Sequence, residues 1–197
     1  TTSTGVITLF DTSPPVILNV SSSLANGSYK ETSIIDVEMT FNEVVYVVGA
    51  PILNMNTIAG GRNIAYSVGN ATKVITFSYT VVNGDNSLDL DCSATTALSL
   101  YGSTIKDAAG NDAALVLPTP GALGSLSFNK DINIDTTKPT IVAGYLDSTN
   151  AFVNITFSEG VFGFSGTGAI NLSDLQLTFA ANGGSATGVT MTSLVST

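Results

Sequence analysis

The chain has 197 residues, 44% of them hydrophobic and 11% charged, with fifteen Asp and Glu against six Lys and Arg for a net charge of −9. An acidic surface of this kind repels phosphate backbones and attracts cations, which excludes nucleic acid as an expected partner and leaves divalent metals open. No histidine occurs, which removes the usual general base, the common zinc ligand and the Ser-His-Asp triad together.

Taken in chain order, β-branched and alternating runs separated by turn chemistry predict strands at 5–10, 16–20, 34–41, 44–48, 51–54, 64–68, 73–81, 87–90, 103–106, 114–117 and 125–134. A second series is expected at 140–145, 151–157, 169–172, 175–179 and 186–194. Asn26-Gly27, Asn83-Gly84, Gly110-Asn111 and Asn182-Gly183-Gly184 supply turn residues that tolerate positive φ. The stretch 93–100 is the best helix signal and amounts to a single turn. The fold class is therefore all-β. The single cysteine, Cys92, cannot form an internal disulfide and reads as a small buried hydrophobe. No apolar run is long enough to cross a bilayer as a helix, so no membrane insertion is expected.

Two internal echoes organise the chain. Asp11-Thr-Ser-Pro-Pro15-Val-Ile17 returns as Asp135-Thr-Thr-Lys-Pro139-Thr-Ile141, and Met39-Thr-Phe-Asn-Glu43-Val-Val45 returns as Ile155-Thr-Phe-Ser-Glu159-Gly-Val161. Because they recur in the same order, they predict a closing strand of a preceding module at 1–10, a complete module at 11–134 and a partial second module at 135–197. Proline in each linker fixes φ and bars ladder pairing, so each new strand starts cleanly.

The linker Asp135-Thr-Thr-Lys-Pro139, the strand end Phe157-Ser-Glu159 and the loop Asp107-Ala-Ala-Gly-Asn111 resemble the bacterial immunoglobulin-like tandem repeats of large secreted surface proteins and adhesins. The resemblance implies β-sandwich modules, the second one incomplete, in a secreted, extracellular or cell-surface protein with a structural role in a stalk, fibre or surface layer and no enzymatic activity. An adhesin module binding a receptor or a cell-surface glycan is the alternative, and an accessory domain of a secreted hydrolase is a third. Asp89-Leu-Asp91 would place two carboxylates on one face of a strand, the feature that third reading needs.

In such a sandwich the loop after the second strand and the loop before the last lie at the end where the chain enters. That topology gathers Asp11, Glu43, Asp107 and Asn111 as oxygen ligands for calcium, with Asp135 and Glu159 as the counterparts in the second module. Cadherins stiffen module junctions in a similar way. The competing reading has the aspartates closing Asx-turns and the glutamates exposed. Asn19, Asn26, Asn70, Asn154 and Asn171 begin Asn-x-Ser/Thr triplets and are possible glycosylation sites. The strand Gly5-Val6-Ile7-Thr8-Leu9-Phe10 is expected to pair with the unfinished second module of another copy, giving head-to-tail self-assembly.

Overall fold

The computed structural model describes residues 10–58, 60–146, 148, 153–162, 170–175 and 193. The chain divides into two compact units, Thr1–Thr137 and Lys138–Thr197. Its strands are β1 (Ile17–Ser21), β2 (Gly27–Tyr29), β3 (Ile34–Val48), β4 (Ile52–Met55), β5 (Arg62–Val68), β6 (Thr72–Thr80), β7 (Asn86–Ser87), β8 (Leu98–Ser99), β9 (Thr104–Lys106), β10 (Ile132–Asp135), β11 (Ile141–Leu146) and β12 (Val153–Phe157). One α-helix, α1 (Leu126–Asn129), and one 3-10 turn, Leu172–Asp174, complete the described elements. The protein is all-β, and no helix among the described residues is long and apolar enough to cross a membrane.

In the first unit a seven-stranded sheet runs β1-β3-β6-β5-β4-β8, with β9 also pairing on β3. A smaller sheet, β2-β10-β7, has β10 parallel to β2 and antiparallel to β7. β3 is continuous where two strands are expected from the sequence. It changes partner midway, from β1 at residues 38–41 to β9 at 46–48, and its register with β6 slips between Thr40 and Val45. The slip absorbs Asn42 and Glu43 without ending the strand. Alternation then turns Ile35, Val37, Met39, Phe41, Val45 and Val47 into one core, together with Ile75, Phe77 and Tyr79 of β6 and Ile132 and Ile134 of β10.

Several expected strands differ. Residues 125–129 turn into α1 because Ser125 caps it, its hydroxyl accepting from Phe128 N at 3.3 Å. Residues 114–117 form no ladder, since their amides go to different partners: Ala114 N to Pro15 O and Leu117 N to Thr95 O. Of the expected strand 87–90 only Ser87 pairs, as part of the two-residue β7. Asn171 and Asp174 form a capping box that makes Leu172–Asp174 a 3-10 turn within the expected strand 169–172. Residues 5–9, 151, 152, 169, 176–179, 186–192 and 194 lie outside the described residues. β2 is masked in the sequence by its Asn26-Gly27 turn signal.

The second unit repeats the opening of the first at the level of individual pairs. β1 meets β3 with Ile17 opposite Phe41, Asn19 opposite Thr40, Val20 opposite Met39 and Ser21 opposite Glu38, with a bulge between Ile17 and Asn19. β11 meets β12 with Ile141 opposite Phe157, Ala143 opposite Thr156, Gly144 opposite Ile155 and Tyr145 opposite Asn154, and its bulge falls between Ile141 and Ala143. The flanking hydrogen bonds repeat as well. Asn42 N donates to Val16 O while Val16 N donates to Asn42 Oδ1; Ser158 N donates to Thr140 O while Thr140 N donates to Ser158 Oγ.

Candidate functional site

Three carboxylates separated widely in sequence meet in the first unit. Asp11 comes from the segment before β1, Glu43 from the register slip inside β3 and Asp107 from the end of β9, and one oxygen of each lies within 4.8 Å of the others. Charges at that spacing repel by roughly 1 kcal/mol per pair in water and about 3 kcal/mol at a partly shielded surface. Among the described residues no Lys or Arg forms a salt bridge with any of them.

Each acid is held by its local chain. Asp11 Oδ1 accepts from Ser13 N at 2.9 Å, an Asx-turn, and Asp135 Oδ1 accepts from Thr137 N at 2.9 Å in the same way. Glu43 Oε1 accepts from Asn42 Nδ2 at 3.4 Å. Asp107 is buried, with Oδ1 accepting from Asn111 N at 2.8 Å and Oδ2 from Asn111 Nδ2 at 2.7 Å. Burial pushes its carboxyl up, but the side-chain and backbone donors of Asn111, with those of Gly110 and Ala109, outweigh that and hold it below the ordinary value.

Asn111 Nδ2 also donates to Asp11 O at 3.1 Å and Ser13 O at 3.5 Å. It therefore braces the linker against Asp107 and turns its amide nitrogen, rather than its oxygen, toward the acids. Hard oxygens from three carboxylates suit calcium, with backbone carbonyls or water left to complete six to eight ligands. In the second unit, Glu159 follows β12 as Glu43 follows the β1-paired part of β3, and its Oε1 is buried without a hydrogen-bond partner. Asp135 closes β10 in the first unit.

Compared with known proteins, the chain matches no family model, no curated protein and no solved structure.

The remaining expected positions fall as follows. Gly5, Val6, Ile7, Thr8 and Leu9 lie outside the described residues, and Phe10 is exposed. Asn26, Asn70, Asn154 and Asn171 are exposed and Asn19 is half-buried. Asn70 Oδ1 accepts from Val47 N at 2.8 Å, Asn26 Oδ1 from Asp131 N at 3.1 Å and Asn19 Oδ1 from Asn129 Nδ2 at 2.8 Å, so these three brace the backbone or a neighbouring amide.

Asp89 and Asp91 lie outside any strand, so the alternation that would set them on one face does not apply. Asp89 is exposed, whereas Asp91 is buried and accepts five hydrogen bonds, from Cys92 N, Gly121 N, Leu126 N, Ser127 N and Ser127 Oγ. Its charge sits at the free amides that open α1. Partial burial, then the charges of Asp131 and Asp91, hold the Asp89 carboxyl above its ordinary value.

Two groups were not legible as special in the sequence. Asp85 is fully buried and accepts from Arg62 Nε at 2.7 Å, Tyr79 OH at 2.7 Å and Val82 N at 3.1 Å. Burial acts to raise its carboxyl, yet these donors win and lower it, while burial and the Asp85 carboxylate raise the Tyr79 phenol. Tyr101 is 83% exposed in a turn; the Tyr-Gly dipeptide was the available signal.

Proposed function

We propose that this chain is a structural repeat of a secreted or cell-surface stalk, fibre or surface layer, built from tandem immunoglobulin-like β-sandwich modules. The repeated antiparallel strand pair carries the reading: the same pairs, bulge and flanking bonds open both units. Val37 and Met39 are 0% exposed under the core of the first unit, whereas their counterparts Val153 and Ile155 are 67% and 48% exposed. Apolar strand surface of this kind favours packing against a neighbouring module or another copy. The alternating segment Gly5–Phe10 is the strand we assign to that role, giving head-to-tail association.

Calcium belongs to the same reading. At the Asp11, Glu43 and Asp107 cluster it would neutralise three acids where the chain enters a module, and so stiffen the junction. Light scattering tests association: the intact chain should grow in mass with concentration, and both deletion of residues 1–10 and Ile155→Glu should abolish the growth. A strictly monomeric intact chain overturns the assembly reading. Thermal melting with calcium or with a chelator tests the metal. At a hundred times its dissociation constant an ion stabilises the folded state by about 2.7 kcal/mol, so an unchanged midpoint overturns the calcium site.

A further inference from the structure

We propose that the groove beside the Tyr101–Gly102 turn is a binding site for a neutral saccharide, with the Tyr101 ring as its stacking platform. The turn is closed by Ser103 N donating to Leu100 O at 2.8 Å, and its two central residues have φ of +51° and +86°. Left-handed backbone at both positions is the territory of Gly, Asn and Asp. A tyrosine there gives up backbone stability, and at 83% exposure it gains no burial in return.

The other non-glycine residues with positive φ, Thr32 and Ala71, differ in kind. Their amides donate to Val81 O and Val45 O at 2.9 Å each, so their conformation serves strand pairing. The Tyr101 amide makes no such bond among the described residues. The backbone conformation at Tyr101 closes the turn, which Gly or Asn would do at lower cost; an exposed aromatic ring kept at that position points to a ligand.

The neighbouring surface has the matching chemistry. A groove of about 370 Å³ is lined by the polar Asn54, Asn63, Ser93, Thr96 and Ser99, by apolar Ile52, Ala94 and Ala97 and by Tyr101, and none of its lining residues is charged. Asn54 Nδ2 donates to Asn63 Oδ1 at 2.7 Å across β4 and β5, which fixes both amides and leaves Asn63 Nδ2 to donate outward. Gly61 makes room for this arrangement, since a Cβ there would collide with Asn54 Oδ1. Amides and hydroxyls that both give and accept hydrogen bonds suit sugar hydroxyls, and an aromatic face suits the apolar face of a pyranose ring. The net charge of −9 selects against anionic ligands.

This inference is independent of the repeat reading. The test is an amide NMR titration of the intact chain with cellohexaose, chitohexaose and maltohexaose, and with an oligogalacturonate as the anionic control. At least one neutral sugar should shift the signals of Asn54, Asn63 and Gly102 at millimolar concentration. Tyr101→Gly should weaken that binding by about tenfold or more while melting above the parent chain, because glycine relieves the turn. Tyr101→Ala should weaken binding equally, by loss of the ring. No shift with any neutral sugar, binding of the anionic sugar alone, or shifts undiminished in Tyr101→Gly would each overturn the proposal.

Discussion

Replacing Asp85 by alanine tests whether the first unit is held by its buried acid. The carboxylate is the partner of the buried Tyr79 hydroxyl and of Arg62, whose side chain is 30% exposed. Taking the carboxylate away from the Tyr79 hydroxyl, which keeps only the Thr57 hydroxyl within reach, and from Val82 N costs about 1–3 kcal/mol. Arg62 regains water, so its loss adds only about 1 kcal/mol. The sum is about 3 kcal/mol, which lowers the melting temperature by roughly 6–12 °C for a unit of this size.

Calorimetry on Asp85→Ala, Tyr79→Phe and the double variant separates the parts. The double variant should be more stable than Asp85→Ala alone, because it removes the hydroxyl that has lost its carboxylate. The sign with pH is also fixed. The Asp85 carboxyl is lowered in the folded chain, so its contribution is full above the unfolded value of about 3.9 and is lost as pH falls through the folded value. The gap between parent and Asp85→Ala should therefore close below about pH 4. A gap under about 2 °C at neutral pH, or a double variant no better than the single, would refute the reasoning.

Three further outcomes follow from the same structure. Cys92 is buried and its thiol is pushed up to about 12, first by burial and then by the Asp91 charge; a thiol reagent should label it only at the rate of unfolding, as timed labelling in rising denaturant will show. Asp91→Ala strands the buried amides of Cys92 and Leu126 and should cost about 3–5 kcal/mol in urea melts, with hydrogen exchange rising first at α1. Phe41→Ala should cost about 3–5 kcal/mol from its fully packed position, whereas Phe157→Ala at the half-buried counterpart should cost distinctly less in the same assay.

What the sequence determined by itself is the part written in local periodicity. Alternation placed most strands of the large sheet within a few residues, because side chains repeat every two positions and one face must be apolar. The echo of Asp11 through Ile17 and of Met39 through Val45 marked two stretches that pair in the same register, residue for residue, in the two units. It also picked out Asp11, Glu43 and Asp107, which the fold brings within 4.8 Å. Tertiary structure decided the rest. Residues 125–129 coil because the local Ser125 cap is joined by Asp91, a residue 35 positions from Leu126, at the same helix start, and whether 114–117 pairs depended on where Pro15 and Thr95 present their carbonyls. The Asp85 network and the exposed Tyr101 groove are likewise products of long-range proximity, since a lone acid or aromatic carries no local pattern that distinguishes a buried hub from a solvated side chain.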